Sequence, residues 1–222
     1  MLRIVIFFLS INLIAVDIPE IIKKGSIEYE RERKLIKNYK VVQDIVSELK
    51  SGGILRTEKR KQVGYFVAPN RYFFFPKEKY INQVASPIAP NEVEKSTKKE
   101  IEWISSKGLE RYDFKLLDEG NNHYHFSVSP RYDFPEATRG EIWVYKDSGK
   151  IIRFFKEPAK KKEGIELYRT EVYFDGFSRF QEPTFTRLQT IFAEKNQRVE
   201  AKVEVIFSEY EFNLDLEKKL TQ

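Results

Sequence analysis

The 222-residue chain carries 39 basic and 34 acidic residues, a formal charge of +5, so the basic surplus is small against a densely charged, mixed-sign surface. It contains no cysteine, which excludes disulfides, thiolate catalysis, cysteine-ligated zinc and the acylated cysteine of a bacterial lipoprotein. Aromatic residues make up 14% of the chain, 18 of them Phe and 12 Tyr, an excess that favours strands.

Residues 1–16 place one early cation, Arg3, before an apolar run from Ile4 to Val16. That run has the length of a signal-peptide core rather than a membrane span. Ala15 is the candidate last residue removed, but Leu13 is a bulky partner for cleavage. An uncleaved anchor and a buried N-terminal segment therefore stand beside the export reading, and residues 17–222 form a single domain. Asp17 is placed to cap a helix with Pro19 in its first turn and Glu20 three residues on. Ile18, Ile21, Ile22, Gly25, Tyr29 and Ile36 then follow helical spacing, predicting an amphipathic helix over 18–37.

From Asn38 the period changes to two. Strands are expected from Tyr39 to Lys50 and from Ile54 to Ala68 around a Ser51-Gly52-Gly53 turn. After Pro69-Asn70, the run Arg71 to Phe75 holds four consecutive aromatics, so a strand covered on both faces and stopped by Pro76 is expected. Lys77 to Pro90 reads as a loop. Asn91, with Glu94 three residues later and Gly108 as a stop, predicts a helix whose sparse apolar residues Val93, Ile101, Trp103 and Ile104 suit a lid over a cavity mouth.

Strands return at Tyr112 to Leu117 and, after Gly120-Asn121-Asn122, at His123 to Ser129. Glu141 to Tyr145 and Lys150 to Phe155 flank Asp147-Ser148-Gly149, where the glycine supplies the positive φ of a bulged hairpin loop. In the simplest register Val144 faces Ile152, Ile142 faces Phe154 and Trp143 faces Arg153. Further strands are expected over 165–174, 183–193 and 199–212, the last with Ala201, Val203, Val205 and Phe207 on one side and Lys202, Glu204 and Ser208 on the other. About ten strands, two helices and no βαβ alternation give a mainly β (α+β) fold with an antiparallel sheet.

The pieces R-G-E-I-W-V-Y-K-D-S-G-K-I-I-R-F at 139–154, E-P-A-K at 157–160, I-E-L-Y-R-T-E-V-Y-F at 165–174 and V-I-F-S-E-Y-E-F-N at 205–213 resemble the outer-membrane lipoprotein-sorting, LolA-like proteins. The resemblance extends more loosely back to Ile21. It implies a half-closed antiparallel β-barrel, lidded by two helices, whose concave apolar face holds acyl chains of a lipid or lipoprotein. The segment F-S-R-F-Q-E-P at 177–183 departs from the Gly-rich aromatic turn of that family, and no gating arginine transfers to a position here.

The candidate lipid-binding residues are Phe74, Tyr124, Phe126, Val128, Ile142, Val144, Ile152, Phe154, Val203, Val205 and Phe207, the dry faces of the strands. The plainer alternative makes them a core beneath the helices. The two histidines, His123 and His125, point the same way and would need Asp113 or Asp133 to hold a metal, with no third ligand at a diagnostic spacing. Ser127 and Ser129 lie beside them without a nucleophile elbow, and Glu141, Glu171 and Asp147 show only strand-edge and turn usage. No catalytic residue, metal or cofactor is therefore expected. Lys59-Arg60-Lys61, Lys98-Lys99 and Lys160-Lys161-Lys162 read as solvated groups, any one of which is a candidate contact for anionic headgroups. The resulting expectation is an exported, non-enzymatic, monomeric periplasmic carrier of lipid or lipoprotein acyl chains. It would make transient membrane contact, work with an inner-membrane transporter or outer-membrane acceptor, and bind no nucleic acid. The competing expectation is an interaction or sensor module of the same fold that recognises an envelope protein through a filled interior.

Overall fold

The computed structural model describes residues 19–89, 92–97, 101–160, 163–175, 180–194 and 197–215. Helix α1 (Glu20–Leu35) buries Ile22, Gly25, Ser26, Tyr29 and Glu32 on one stripe, with Pro19 ahead of it and no side-chain cap. The expected Asp17 cap, like the export segment, lies outside the described residues. Strands β1 (Asn38–Ser51), β2 (Ile54–Val67) and β3 (Arg71–Ile81) follow, then short β4 (Val84–Ala85) and β5 (Glu94–Thr97). A 3₁₀ turn (Glu102–Ile104) and α2 (Ser106–Arg111) lead into β6 (Tyr112–Glu119), β7 (His123–Pro130), β8 (Thr138–Tyr145), β9 (Ile151–Pro158), β10 (Ile165–Phe174), β11 (Pro183–Glu194) and β12 (Gln197–Phe212).

These strands form one antiparallel 12-stranded sheet in the order β4-β3-β2-β1-β12-β11-β10-β9-β8-β7-β6, with β5 also on the outer edge of β3. The expected half-closed barrel of about ten strands is thus corrected to an open sheet with more strands, since among the described residues nothing pairs β6 to the β3–β4 edge. The β12–β1 pairing sets the last described strand beside the first. There Asn38 and Asn213 tie the strands to the helix exit, through Leu214 N donating to Asn38 Oδ1 at 2.7 Å and Lys37 N to Asn213 Oδ1 at 2.8 Å.

Two expected elements differ. β3 does not stop at Pro76; it continues to Ile81. Pro76 sits opposite Gln62 where the register shifts, and on the outer side it falls between the stretches paired to β5 and β4, so its missing N–H breaks no ladder there. Tyr72 to Phe75 are half-buried rather than covered on both sides. The helix expected from Asn91 to Gly108 is replaced by β5, the 3₁₀ turn and the six-residue α2, with Asn91 itself outside the described residues. Trp103 and Ile104 are both buried, carried inward by the 3₁₀ turn rather than by a long helix. The Ser105 side chain caps α2 by accepting from Gly108 N at 3.0 Å.

The β8–β9 hairpin anchors the helix. Trp143 faces Arg153 and Ile142 faces Phe154 as expected, but a bulge after Trp143 pairs Val144 with Ile151 and leaves Ile152 as the extra residue. Gly149 takes φ +73, and a Cβ there would lie 2.5 Å from Ile21 O; one on Gly25 would lie 2.3 Å from Gly149 O. Helix and turn therefore touch backbone to backbone, a contact only glycine at both positions allows. Lys150 Nζ completes the seam by pairing with buried Glu32 Oε1 at 2.9 Å.

Candidate functional site

The concave face of the sheet divides into three parts along the strand order. Over β6 to β9, Phe126, Val128, Ile142, Val144, Ile151 and Phe154 are buried under Ile22 and Tyr29 of α1 and under Trp103 and Ile104. The Trp103 indole donates to Thr138 Oγ1 at 2.9 Å and packs against Phe154 at 5.7 Å between ring centroids. Five of the candidate residues, Phe126, Val128, Ile142, Val144 and Phe154, thus belong to a buried cluster, with Phe126 and Phe154 also facing hollows at its edges. Tyr124 lies at its margin and lines, with Phe126, a hollow of about 690 Å³ under the start of α1. Ile152, displaced by the bulge, is half-buried and outside that cluster.

The second part is a cavity of about 360 Å³ between α1, β5 and strands from both halves of the sheet. Its apolar lining comes from Tyr72, Phe74, Ile101, Phe154, Val172, Phe174 and Phe207, and its polar lining includes Gln43, Lys156, Thr170, Thr186, Gln181 and Glu182. Three candidate residues, Phe74, Phe154 and Phe207, meet here. The volume falls within the ~300–1,000 Å³ typical of small-molecule sites.

A polar wall closes one end. Tyr29 and Glu182 line both this cavity and a neighbouring hollow of about 410 Å³ that also touches Glu30, Arg33 and Lys34. The Tyr39 hydroxyl donates to Glu182 Oε2 at 3.0 Å and shares a second hydrogen bond with the Tyr72 hydroxyl. Tyr210 donates to Pro183 O at 2.8 Å, and Arg33 Nη1 to the Tyr29 hydroxyl at 3.0 Å. Burial, and then the Glu182 carboxylate, push the Tyr39, Tyr72 and Tyr210 phenols far above their ordinary range. Burial also raises Tyr29, against the opposing pull of Arg33. At ordinary pH these phenols are neutral, and Tyr39 is the one whose hydroxyl reaches Glu182.

Gln43, which lines the cavity, accepts from buried Gln62 Nε2 at 2.7 Å, and Gln62 Oε1 has no partner among the described residues. Gln181, 7% exposed, likewise leaves Nε2 without a partner among the described residues. A buried unmade hydrogen bond of this kind costs about 1–3 kcal/mol. Sequence reasoning missed Gln43, Gln181 and Glu182. The clue available was F-Q-E-P at 180–183, which puts two polar residues between an aromatic and a proline where a loop would ordinarily carry them into solvent.

The third part is an open strip. Cross-strand pairing sets Ile45 beside Val205, Val203 beside Leu188, and Leu49 beside Ala201. These residues share the face of Phe207, so they run from the cavity along β1, β12 and β11 toward the β1–β2 turn. Val203 and Val205 are half-buried there and remain outside the buried cluster.

The histidines lie on other surfaces. On the convex face His125 stacks on Trp143 at 4.0 Å, and its Nε2 meets Glu141 Oε2 at 2.8 Å. His123 Nδ1 stands 3.3 Å from Asn122. Asp113 is engaged by Arg131 at 2.9 Å and Asp133 by Lys160. Among the described residues no three His, Asp or Glu side chains gather at metal-binding range. No described helix is long and apolar enough to cross a membrane.

No protein-family model matches the chain, and no curated protein does. Solved structures similar over most of its length include a putative outer membrane lipoprotein-sorting protein domain from Vibrio parahaemolyticus, at 13% identity and TM-score 0.45, covering 89% of this chain and 96% of that one. A LolA superfamily protein from Nitrosomonas europaea is similar at 9% identity and TM-score 0.42, covering 89% and 97%. A DUF1329 family protein from Desulfovibrio piger is similar at 12% identity and TM-score 0.41, covering 90% and 97%. Two of these three are of the kind that residues 139–213 resemble.

Proposed function

We propose that this chain is a non-enzymatic lipid-binding protein that holds an acyl chain in the cavity between α1 and the sheet. The observation that carries the reading is the cavity of about 360 Å³ walled by Tyr72, Phe74, Phe154, Val172, Phe174 and Phe207. Burying one large apolar group is worth about 1.5–3 kcal/mol, so a hydrocarbon tail lying against six such side chains has a substantial driving force. The mixed polar lining leaves room for the oxygen-bearing end of the same molecule. In this reading the guest is a lipid or a lipoprotein acyl chain. The protein is a monomeric periplasmic carrier between an inner-membrane transporter and an outer-membrane acceptor, its export signal within residues 1–16. Phe74, Phe154 and Phe207 contact the tail, while Phe126, Val128, Ile142 and Val144 hold the scaffold.

The test is uptake of a dansyl-labelled fatty acid, followed by its fluorescence rise, in wild type and in Val172→Trp, which fills the cavity from β10. The expected result is saturable uptake by wild type and at least about tenfold weaker uptake by the variant, a loss of roughly 1.4 kcal/mol. No uptake by folded wild type sinks the carrier reading and leaves the interaction module in its place.

A further inference from the structure

We infer that the β1–β2 hairpin tip is a docking element for an anionic bilayer, and that the open strip on the concave face links it to the cavity. The inference deepens the lipid-binding reading and rests on it for the strip's role, but the docking is tested separately.

The tip reads L-K-S-G-G-I-L-R over residues 49–56. Gly52 and Gly53, at φ +55 and +81, turn the chain tightly, and the residues beside them are aliphatic yet exposed: Ile54 at 75%, Leu55 at 56% and Leu49 at 42%. Three exposed aliphatics at the end of two 14-residue strands are not residual core, because none of the described residues covers them. Toward the same end of the sheet Val84, 70% exposed, follows the β3–β4 turn, since β3 ends at Ile81 opposite Glu58.

The cations are placed to match. Lys50 lies opposite Leu55 on one face of the hairpin and Arg56 opposite Leu49 on the other. Both are exposed and neither makes an ion pair with a described residue, whereas Arg60 further down the same strand is held by Glu58 and Glu94. Arg56 sits one strand step of about 3.3 Å behind Leu55, and Lys50, level with Leu55, reaches back along its long side chain, so a tip that sinks Ile54 and Leu55 into the acyl boundary brings both cations to the phosphates. That is an aliphatic point with a basic collar on both faces, the complement of an anionic membrane surface. From the point, Leu49, Ala201, Val203, Val205 and Phe207 continue the apolar path to the cavity.

The experiment is co-sedimentation of the protein with vesicles of phosphatidylcholine alone and of phosphatidylcholine mixed with an equal amount of phosphatidylglycerol. Wild type is compared with Ile54→Ser/Leu55→Ser and with Lys50→Gln/Arg56→Gln. All four side chains are exposed, so thermal unfolding should be unchanged in both variants. Wild type is expected to prefer the anionic vesicles by about tenfold. The aliphatic pair should lose about tenfold or more on them, and the cation pair should lose the preference for anionic lipid. An Ile54→Trp reporter should shift its emission to the blue on the anionic vesicles alone. Absence of binding by wild type, binding unchanged in the Ser pair, or a tip that pairs two copies in solution without touching vesicles would overturn the proposal. Dansyl fatty-acid uptake separates the two readings. The tip variants should retain it, and its absence from wild type with vesicle binding intact would remove the cargo and leave the docking.

Discussion

Gly25 and Gly149 set the position of the helix more narrowly than any apolar side chain. Each has the other's backbone where a Cβ would go, at 2.3 Å from Gly149 O and 2.9 Å from the Gly25 Cα respectively. Gly25→Ala should therefore push α1 off the hairpin at a cost of about 1–3 kcal/mol, read as a lower urea midpoint with no loss of secondary structure by circular dichroism. The buried phenols make a second residue-scale prediction. Their ordinary pKa is 10.0, and burial raises Tyr39, Tyr72 and Tyr210 well above it in the folded chain. Below that pH both states hold them neutral and they add no pH dependence. Above it the unfolded chain releases protons that the folded chain keeps, so stability falls as pH rises. Urea midpoints should hold up to about pH 10 and drop beyond it, and tyrosinate absorbance should rise for these rings only as the protein unfolds. A midpoint that is flat through alkaline pH would contradict the burial of the cluster.

At the scale of elements, the long strands and the β8–β9 hairpin were legible because period-two patterning and turn glycines are local signals. The pairings of Ile142 with Phe154 and Trp143 with Arg153 follow directly from the Asp147-Ser148-Gly149 turn. The bulge that substitutes Ile151 for Ile152 does not, since the same turn is compatible with either pairing of Val144. Pro76 misled because proline reads as a stop wherever the neighbouring strand is unknown; its actual neighbours leave it an unpaired gap. The segment after Asn91 misled for the opposite reason, as a capping pattern and a later glycine framed a stretch whose buried residues are set by tertiary contacts. Trp103 is the test of that segment. It is 2% exposed and wedged against Phe154 and Tyr112, so Trp103→Ala should cost about 3–5 kcal/mol. The loss should appear in thermal unfolding and be accompanied by faster amide exchange in β6 to β9 than in β1, β2 and β12.

For the whole molecule, apolar strand faces were readable but the division of labour among them was not. Alternation shows that Val128 and Val205 each face the same side of a sheet, yet not that α1 covers the first and leaves the second half-buried. The buried half gives the fold its stability, and the gap between helix and the remaining strands gives it an interior that its own side chains do not fill. Polar residues at that gap, Gln43, Gln181 and Glu182, were invisible to hydropathy because burial there depends on strands distant in sequence. The central claim is that this interior takes a hydrocarbon chain. Native mass spectrometry after incubation with a total bacterial lipid extract tests it most directly. The account predicts a one-to-one adduct of acyl-lipid mass on wild type that disappears in Val172→Trp. Bare protein throughout, or an adduct equally abundant on the filled-cavity variant, would contradict it.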